Sequence, residues 1–260
     1  MNSKPTISKG FTLIEIAIVL LVVSILLGYT VALLPVQQEL KRYRAVDKET
    51  DIIIDAIYAY AQVNGRLPCA VSLAVPNGIA DPDDGDQCNT WYGFLPAKTL
   101  GIDGRYDASN SLLDPWGNRY RYQVTANDTG AGAGPGPEDF GVAGGDFIMN
   151  DDIKNVTMEN LRPDLEICTA VATPTPTDCG STTVTVAEGI PAVVLSLGKN
   201  GATAPAESSI QSENTDNSAT DTVFIRSTIS DVEGAEFDDI IKWIAPNTLY
   251  SKMIEAGQLP

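Results

Sequence analysis

Residues 9–36, KGFTLIEIAIVLLVVSILLGYTVALLPV, constrain this chain more than any other stretch. Ile16 to Leu34 is a run of 19 residues without a charge. At about 1.5 Å per residue, a helix of that length nearly crosses a hydrocarbon core of about 30 Å. Ile and Val are abundant in it, but backbone in lipid must satisfy its own hydrogen bonds, so helix overrides β-propensity. The run is preceded by MNSKPTISKG, with two lysines and no acid, which reads as the basic region of a targeting signal. A secretory signal peptide is the competing reading. Its apolar core would be shorter and end at a small-x-small cleavage site, whereas here Leu34 is followed by Pro35, Val36, Gln37, Gln38 and Glu39. Near the start of the stretch stands one carboxylate, Glu15. A charge at mid-membrane costs roughly 2.5–3.5 kcal/mol on insertion scales, so Glu15 calls for a partner or for escape to the interface.

Downstream the character reverses. The chain of 260 residues has 34 acidic against 17 basic side chains, a formal net charge of −17. A surface of that sign repels nucleic acid, so no nucleic-acid partner is expected of this part. There is no histidine, which removes the commonest general base and metal ligand and rules out a Ser-His-Asp or Cys-His arrangement. No phosphate-binding glycine loop occurs in a strand-turn-helix setting. The expectation is a protein that is not an enzyme.

Four cysteines, Cys69, Cys88, Cys168 and Cys179, fall into two sequence-local pairs spaced 19 and 11 apart, which matches no zinc pattern of the CxxC kind. In an exported protein they would form disulfides, with Cys69–Cys88 and Cys168–Cys179 favoured and a crossed connectivity left open.

Helix-prone sequence runs on past Pro35 to Gln62, with Val46, Ile53, Ile57 and Tyr60, flanked by Ile54 and Ala61, forming an apolar stripe suited to lie on a sheet. Asn64-Gly65 is a stop signal. Residues 65–115 read as a long loop region tied by Cys69–Cys88. Within it Asp81 to Asp86 has the look of a calcium loop, but Tyr92 stands where the closing glutamate belongs, so a solvated turn is the simpler account. Strands are expected near 118–125, 190–197 and 222–229, and helices over Glu236–Ile244 and Asn247–Ala256. Residues 127–146 form a glycine-rich excursion, and a short helix-prone piece lies near Thr157–Leu161.

The basic leader ending in Lys9-Gly10, then Phe11-Thr12-Leu13-Ile14-Glu15 and an unbroken apolar helix, resembles the prepilin signal of type IV pilins and type II secretion pseudopilins. The resemblance implies cleavage by prepilin peptidase between Gly10 and Phe11, N-methylation of Phe11, and a role for Glu15 in assembly, where it would face the terminal amine of a neighbouring subunit. It divides the chain into a leader peptide (1–10), a transmembrane and assembly helix (11–36) and a periplasmic pilin-like globular domain (37–260). Lys41, Arg42 and Arg44 then lie on the external side, against the positive-inside tendency, where acidic residues of neighbouring subunits could meet them.

A second resemblance covers patches of the C-terminal part. Leu112-Leu113-Asp114-Pro115-Trp116-Gly117-Asn118-Arg119-Tyr120-Arg121-Tyr122, then Leu195-Ser196-Leu197-Gly198-Lys199-Asn200-Gly201, then Phe237-Asp238-Asp239-Ile240-Ile241-Lys242-Trp243, occur in the order found in the core of the major pseudopilin of type II secretion. That family binds calcium in the last loop. Carried over, the ligands would be the Leu197 carbonyl and the side chains of Asn200, Asp238 and Asp239. Asn200 stands in place of a carboxylate, and the inserts 65–110 and 127–185 have no counterpart in the compact family core.

The expectation is therefore an α+β, type IV pilin-like fold: a long N-terminal helix from about Phe11 to Val63, packed across a small antiparallel sheet with disulfide-pinned loops. Its expected function is that of a structural subunit, a minor pilin or pseudopilin, of a type IV pilus or type II secretion filament. The implied partners are other pilin or pseudopilin subunits, prepilin peptidase, an inner-membrane assembly platform and the lipid bilayer. The implied place is the bacterial inner membrane, as a single-pass protein with a periplasmic domain, and then the filament. The alternative is a membrane-anchored periplasmic binding or adhesion domain that does not polymerise.

Overall fold

The computed structural model describes residues 12–81, 88–125, 163–169, 174–180, 184–201, 209–215, 221–232 and 236–259, with the side chains of 28–34 and 209–210 left aside. The chain divides into two compact units, Met1–Arg44 and Ala45–Pro260. One helix, α1 (Leu13–Asn64), supplies the described part of the first unit and the opening of the second, with Pro35 inside it. The proline removes one N–H without ending the helix.

In the first unit the apolar side chains of α1 from Leu13 to Leu27 are exposed on every face of the helix. The lone hydroxyl among them, Ser24, bonds back to the Leu20 carbonyl at 2.7 Å, so it presents no unsatisfied polar group to an apolar surrounding. Among the described residues no helix is long and apolar enough to cross a membrane. Arg42 pairs with Glu39 one turn back at 3.0 Å.

In the second unit the helical stripe is realised. Val46, Ile53, Ile57 and Ala61 are wholly buried, while Tyr60 is half-buried and its neighbour Tyr58 takes the inward place. The helix ends as Asn64-Gly65 suggests: Gly65 has φ 68°, and its N–H returns to the Ala61 carbonyl at 2.9 Å.

Seven strands follow: β1 (Tyr92–Phe94), β2 (Arg121–Val124), β3 (Leu165–Thr169), β4 (Thr185–Ile190), β5 (Ala192–Ser196), β6 (Val223–Arg226) and β7 (Ile240–Trp243). A short turn of helix, α2 (Ser209–Ser212), precedes β6, and α3 (Pro246–Glu255) closes the chain. The four-stranded sheet has the order β1-β2-β5-β7 and is antiparallel throughout. The three-stranded sheet has the order β4-β3-β6, with β3 and β6 parallel.

The two sheets and the helix make three layers. Tyr120, Tyr122, Val124, Ala192 and Val194 meet the buried stripe of α1, together with Leu249 and Met253 of α3. The opposite side chains of β5, Val193 and Leu195, meet Leu165, Ile167, Ile190 and Phe224 of the smaller sheet. This is why β5 reads as a continuous apolar run: both of its faces are covered. Lys242 of β7 lies on the α1 side, paired with Asp47 at 2.8 Å and Asp51 at 2.5 Å. Disulfides join Cys69 to Cys88 and Cys168 to Cys179.

The structure corrects the expected sheet in three places. Residues 222–229 do supply a strand, β6, but it belongs to the smaller sheet and runs parallel to β3. The stretch running up to Leu197 is broken at Pro191, which has no N–H for a ladder, so β4 and β5 enter different sheets. Within the span expected to be the helix Glu236–Ile244 lies strand β7, whose β-branched Ile240 and Ile241 complete the ladder beside β5. All but Asp81 of the calcium-like stretch Asp81–Asp86, the excursion at 127–146 and the helix-prone piece near Thr157–Leu161 lie outside the described residues.

The turn before β2 rests on one buried carboxylate. Asp114 Oδ1 accepts the backbone N–H groups of Trp116 (2.9 Å), Gly117 (2.8 Å) and Asn118 (2.8 Å). Its Oδ2 accepts the hydroxyl of Ser196, at the end of β5, at 2.7 Å. Arg105 donates to the Asp114 carbonyl, and Asn118 donates to the carbonyl of Gly198. Asp114→Ala is therefore expected to lower the unfolding free energy by about 2–4 kcal/mol, since several hydrogen bonds to a charged acceptor are lost together. Urea unfolding of the full chain in detergent, followed by tryptophan fluorescence, measures this; a loss under about 0.5 kcal/mol would contradict the role given to Asp114.

Candidate functional site

Two places carry the expected site residues, one in each unit. In the first, Gly10 and Phe11 lie outside the described residues, and the description opens at Thr12. Thr12 and Glu15 form a reciprocal pair at the start of α1. The Glu15 N–H donates to Thr12 Oγ1 at 3.3 Å, while the Thr12 N–H and hydroxyl both donate to Glu15 Oε2 at 3.2 Å. This is a capping box, with Thr12 at the N-cap and the acid three residues on. A carboxylate at that end also complements the partial positive charge of the helix N-terminus. The Thr-x-x-Glu spacing is the sequence signal of this pair.

In the second unit the stretches Leu112–Tyr122, Leu195–Gly201 and Phe237–Trp243 come together. Asp114 holds Ser196, Asn118 holds the Gly198 carbonyl, and the loop after β5 then lies against the segment leading into β7. Gly198 has φ 62°, and a Cβ there would sit 2.3 Å from the Asp238 carbonyl oxygen, so only glycine permits this approach. The backbone N–H of Asn200 donates to Asp238 Oδ2 at 2.8 Å. Asp238 and Asp239 are 5% and 6% exposed, far less than an acidic helix start in solvent would be. Burial pushes the Asp238 carboxyl up, opposed by the Asn200 N–H, the Gln211 amide, and the Lys199 N–H and charge.

Two amides that sequence reasoning missed complete the cluster. Gln211 Nε2 lies 2.5 Å from Asp238 Oδ1 and 3.4 Å from Asn200 Oδ1, and its Oε1 accepts from Asn200 Nδ2 at 3.1 Å. Asn214 Nδ2 lies 2.8 Å from Asp239 Oδ2. Asn214 also pairs with the outer edge of β6, accepting from the Ile225 N–H at 2.8 Å and donating to its carbonyl at 3.0 Å. Both amides come from residues 209–215, a polar stretch with no periodicity to mark it.

Each of the four groups expected to hold calcium already accepts a hydrogen bond within the domain. Calcium takes six to eight oxygen ligands. Here the Leu197 carbonyl accepts the Gly201 N–H at 3.1 Å, and an N–H donor faces both the Asp238 and the Asn200 oxygens. The one grouping of three potential metal ligands among the described residues, Glu166 with Cys168 and Cys179, contains a disulfide. The Glu166 carboxylate there accepts the Cys179 N–H at 2.9 Å.

No curated protein and no solved structure matches the chain. One family model does: residues 6–31 match the prokaryotic N-terminal methylation motif. That segment holds Gly10, Phe11, the capping pair Thr12–Glu15 and the beginning of the apolar helix, and so the chain carries a prokaryotic N-terminal methylation motif at residues 6–31.

Proposed function

We propose that this chain is a structural subunit of the minor kind, a minor pilin or pseudopilin, in a type IV pilus or type II secretion filament. The observation that supports the proposal is the methylation motif at residues 6–31, the segment that contains Gly10, Phe11 and Glu15. In this reading prepilin peptidase cuts between Gly10 and Phe11 and the new Phe11 amine is methylated. The helix from residue 11 to about 36 then anchors the protein in the inner membrane, with the acidic domain in the periplasm.

The all-round exposure of apolar side chains from Leu13 to Leu27 supports this role. A helix that is apolar on every face must be covered, by lipid before assembly and by neighbouring helices after it. In both surroundings the backbone is satisfied within the helix, so transfer between them leaves no hydrogen bond unmade. The insert-rich domain, longer than a compact family core, favours a minor subunit that displays binding surface over a repeating major one.

Glu15 then has two duties. Within its own chain it closes the capping box; during assembly its carboxylate offers a counter-charge to the amine of the next subunit. Glu15→Gln separates them, because glutamine also serves at the third position of a capping box but carries no charge. Glu15→Gln and Glu15→Ala are both expected to be inserted and processed, and both to enter filaments at roughly a tenth of the wild-type level or less, a loss of about 1.4 kcal/mol or more. Immunoblots of sheared filaments against membranes measure this. If Glu15→Gln assembles like the wild type while Glu15→Ala does not, capping is the whole contribution of Glu15 and the assembly role is wrong.

A further inference from the structure

We propose that the side-chain amide of Gln211 takes the place of a cation in the acidic loop, so that this domain fastens its C-terminal segments together without a metal. Asp238 and Asp239 are adjacent and almost wholly withdrawn from water. Two such carboxylates must be met by positive charge or by N–H groups. Gln211 is 1% exposed, and its Nε2 stands between Asp238 Oδ1 at 2.5 Å and Asn200 Oδ1 at 3.4 Å. A primary amide nitrogen has two hydrogens and no acceptor, so it can serve both oxygens as a bound cation would.

The orientation of that amide is determined by its surroundings. Its Oε1 accepts from Asn200 Nδ2 at 3.1 Å. Turned over, the amide would set oxygen against the Asp238 carboxylate and nitrogen against nitrogen. A cation at the same point would have to expel the Gln211 nitrogen and strip Asp238 of a donor. Asn214, wholly buried three residues further on, treats Asp239 in the same way at 2.8 Å. Because Asn214 also holds both backbone groups of Ile225, one short segment balances both carboxylates and covers the outer edge of β6. The loop at 197–201, the approach to β7 and the edge of the smaller sheet thus share one hydrogen-bonded clasp. Its strength depends on amide geometry and not on the cation content outside the cell.

The test is the melting midpoint of the full chain in detergent, read by tryptophan fluorescence in EDTA and in millimolar calcium. The wild type is expected to melt at the same temperature in both. Gln211→Ala is expected to lower the midpoint by roughly 5–10 °C in either condition. Gln211→Glu, which replaces the donor by a further carboxylate, is expected to melt lower than the wild type in EDTA and to recover when calcium is added, since it then supplies the oxygen the site lacks. A wild-type midpoint that rises with calcium, or a Gln211→Glu protein as stable in EDTA as the wild type, overturns the proposal. The calcium comparison on the wild type requires no variant to fold and does not depend on whether the chain enters a filament.

Discussion

One buried carboxylate, that of Asp114, is the point on which the order of the larger sheet depends. By accepting three consecutive N–H groups it turns the chain into β2, and by accepting the Ser196 hydroxyl it ties that turn to the end of β5. The tie places Asn118 under the Gly198 carbonyl and sets the following loop against Asp238. Three segments separated by some 40 to 80 residues in sequence are thereby brought to one corner of the domain. Polar groups withdrawn from water in this way are costly when unmet and specific when met, so such a corner selects one arrangement of the chain.

The rest of the domain is layered around that arrangement. The second half of α1 covers one face of the larger sheet and the smaller sheet covers the other, which leaves β5 buried on both sides. The first unit follows a different rule. Its helix presents exposed apolar side chains from Leu13 to Leu27 in every direction and begins with a carboxylate held by a threonine. The second unit buries its apolar side chains in a core of its own. A rod of exposed leucine, isoleucine and valine instead needs a surrounding to cover it.

How much of this was legible in the sequence follows from how local each signal is. The helix and its buried stripe were visible because 3.6-residue periodicity repeats over many turns, and Gly65 marked its end. β2, β5 and β6 were visible as short alternating or continuous apolar runs. Membership in sheets was not, because nothing in Val223–Arg226 says which strand will pair with it. β7 reads as helix in the sequence, because the acidic Asp238-Asp239 looks like a helix start and four residues are too few to show a period. At the acidic corner the carboxylates could be named from the order of the motifs. Gln211 and Asn214 could not, since an amide becomes a partner only through the tertiary fold. The Thr12–Glu15 capping box, by contrast, was available from spacing alone.

The account stands on the first residues of the mature chain. Mass spectrometry of the N-terminal peptide from protein purified out of its native membrane measures them directly. The account predicts a peptide that begins at Phe11 and carries one methyl group on its amine. A peptide that retains residues 1–10, or that begins at any other residue, would contradict it.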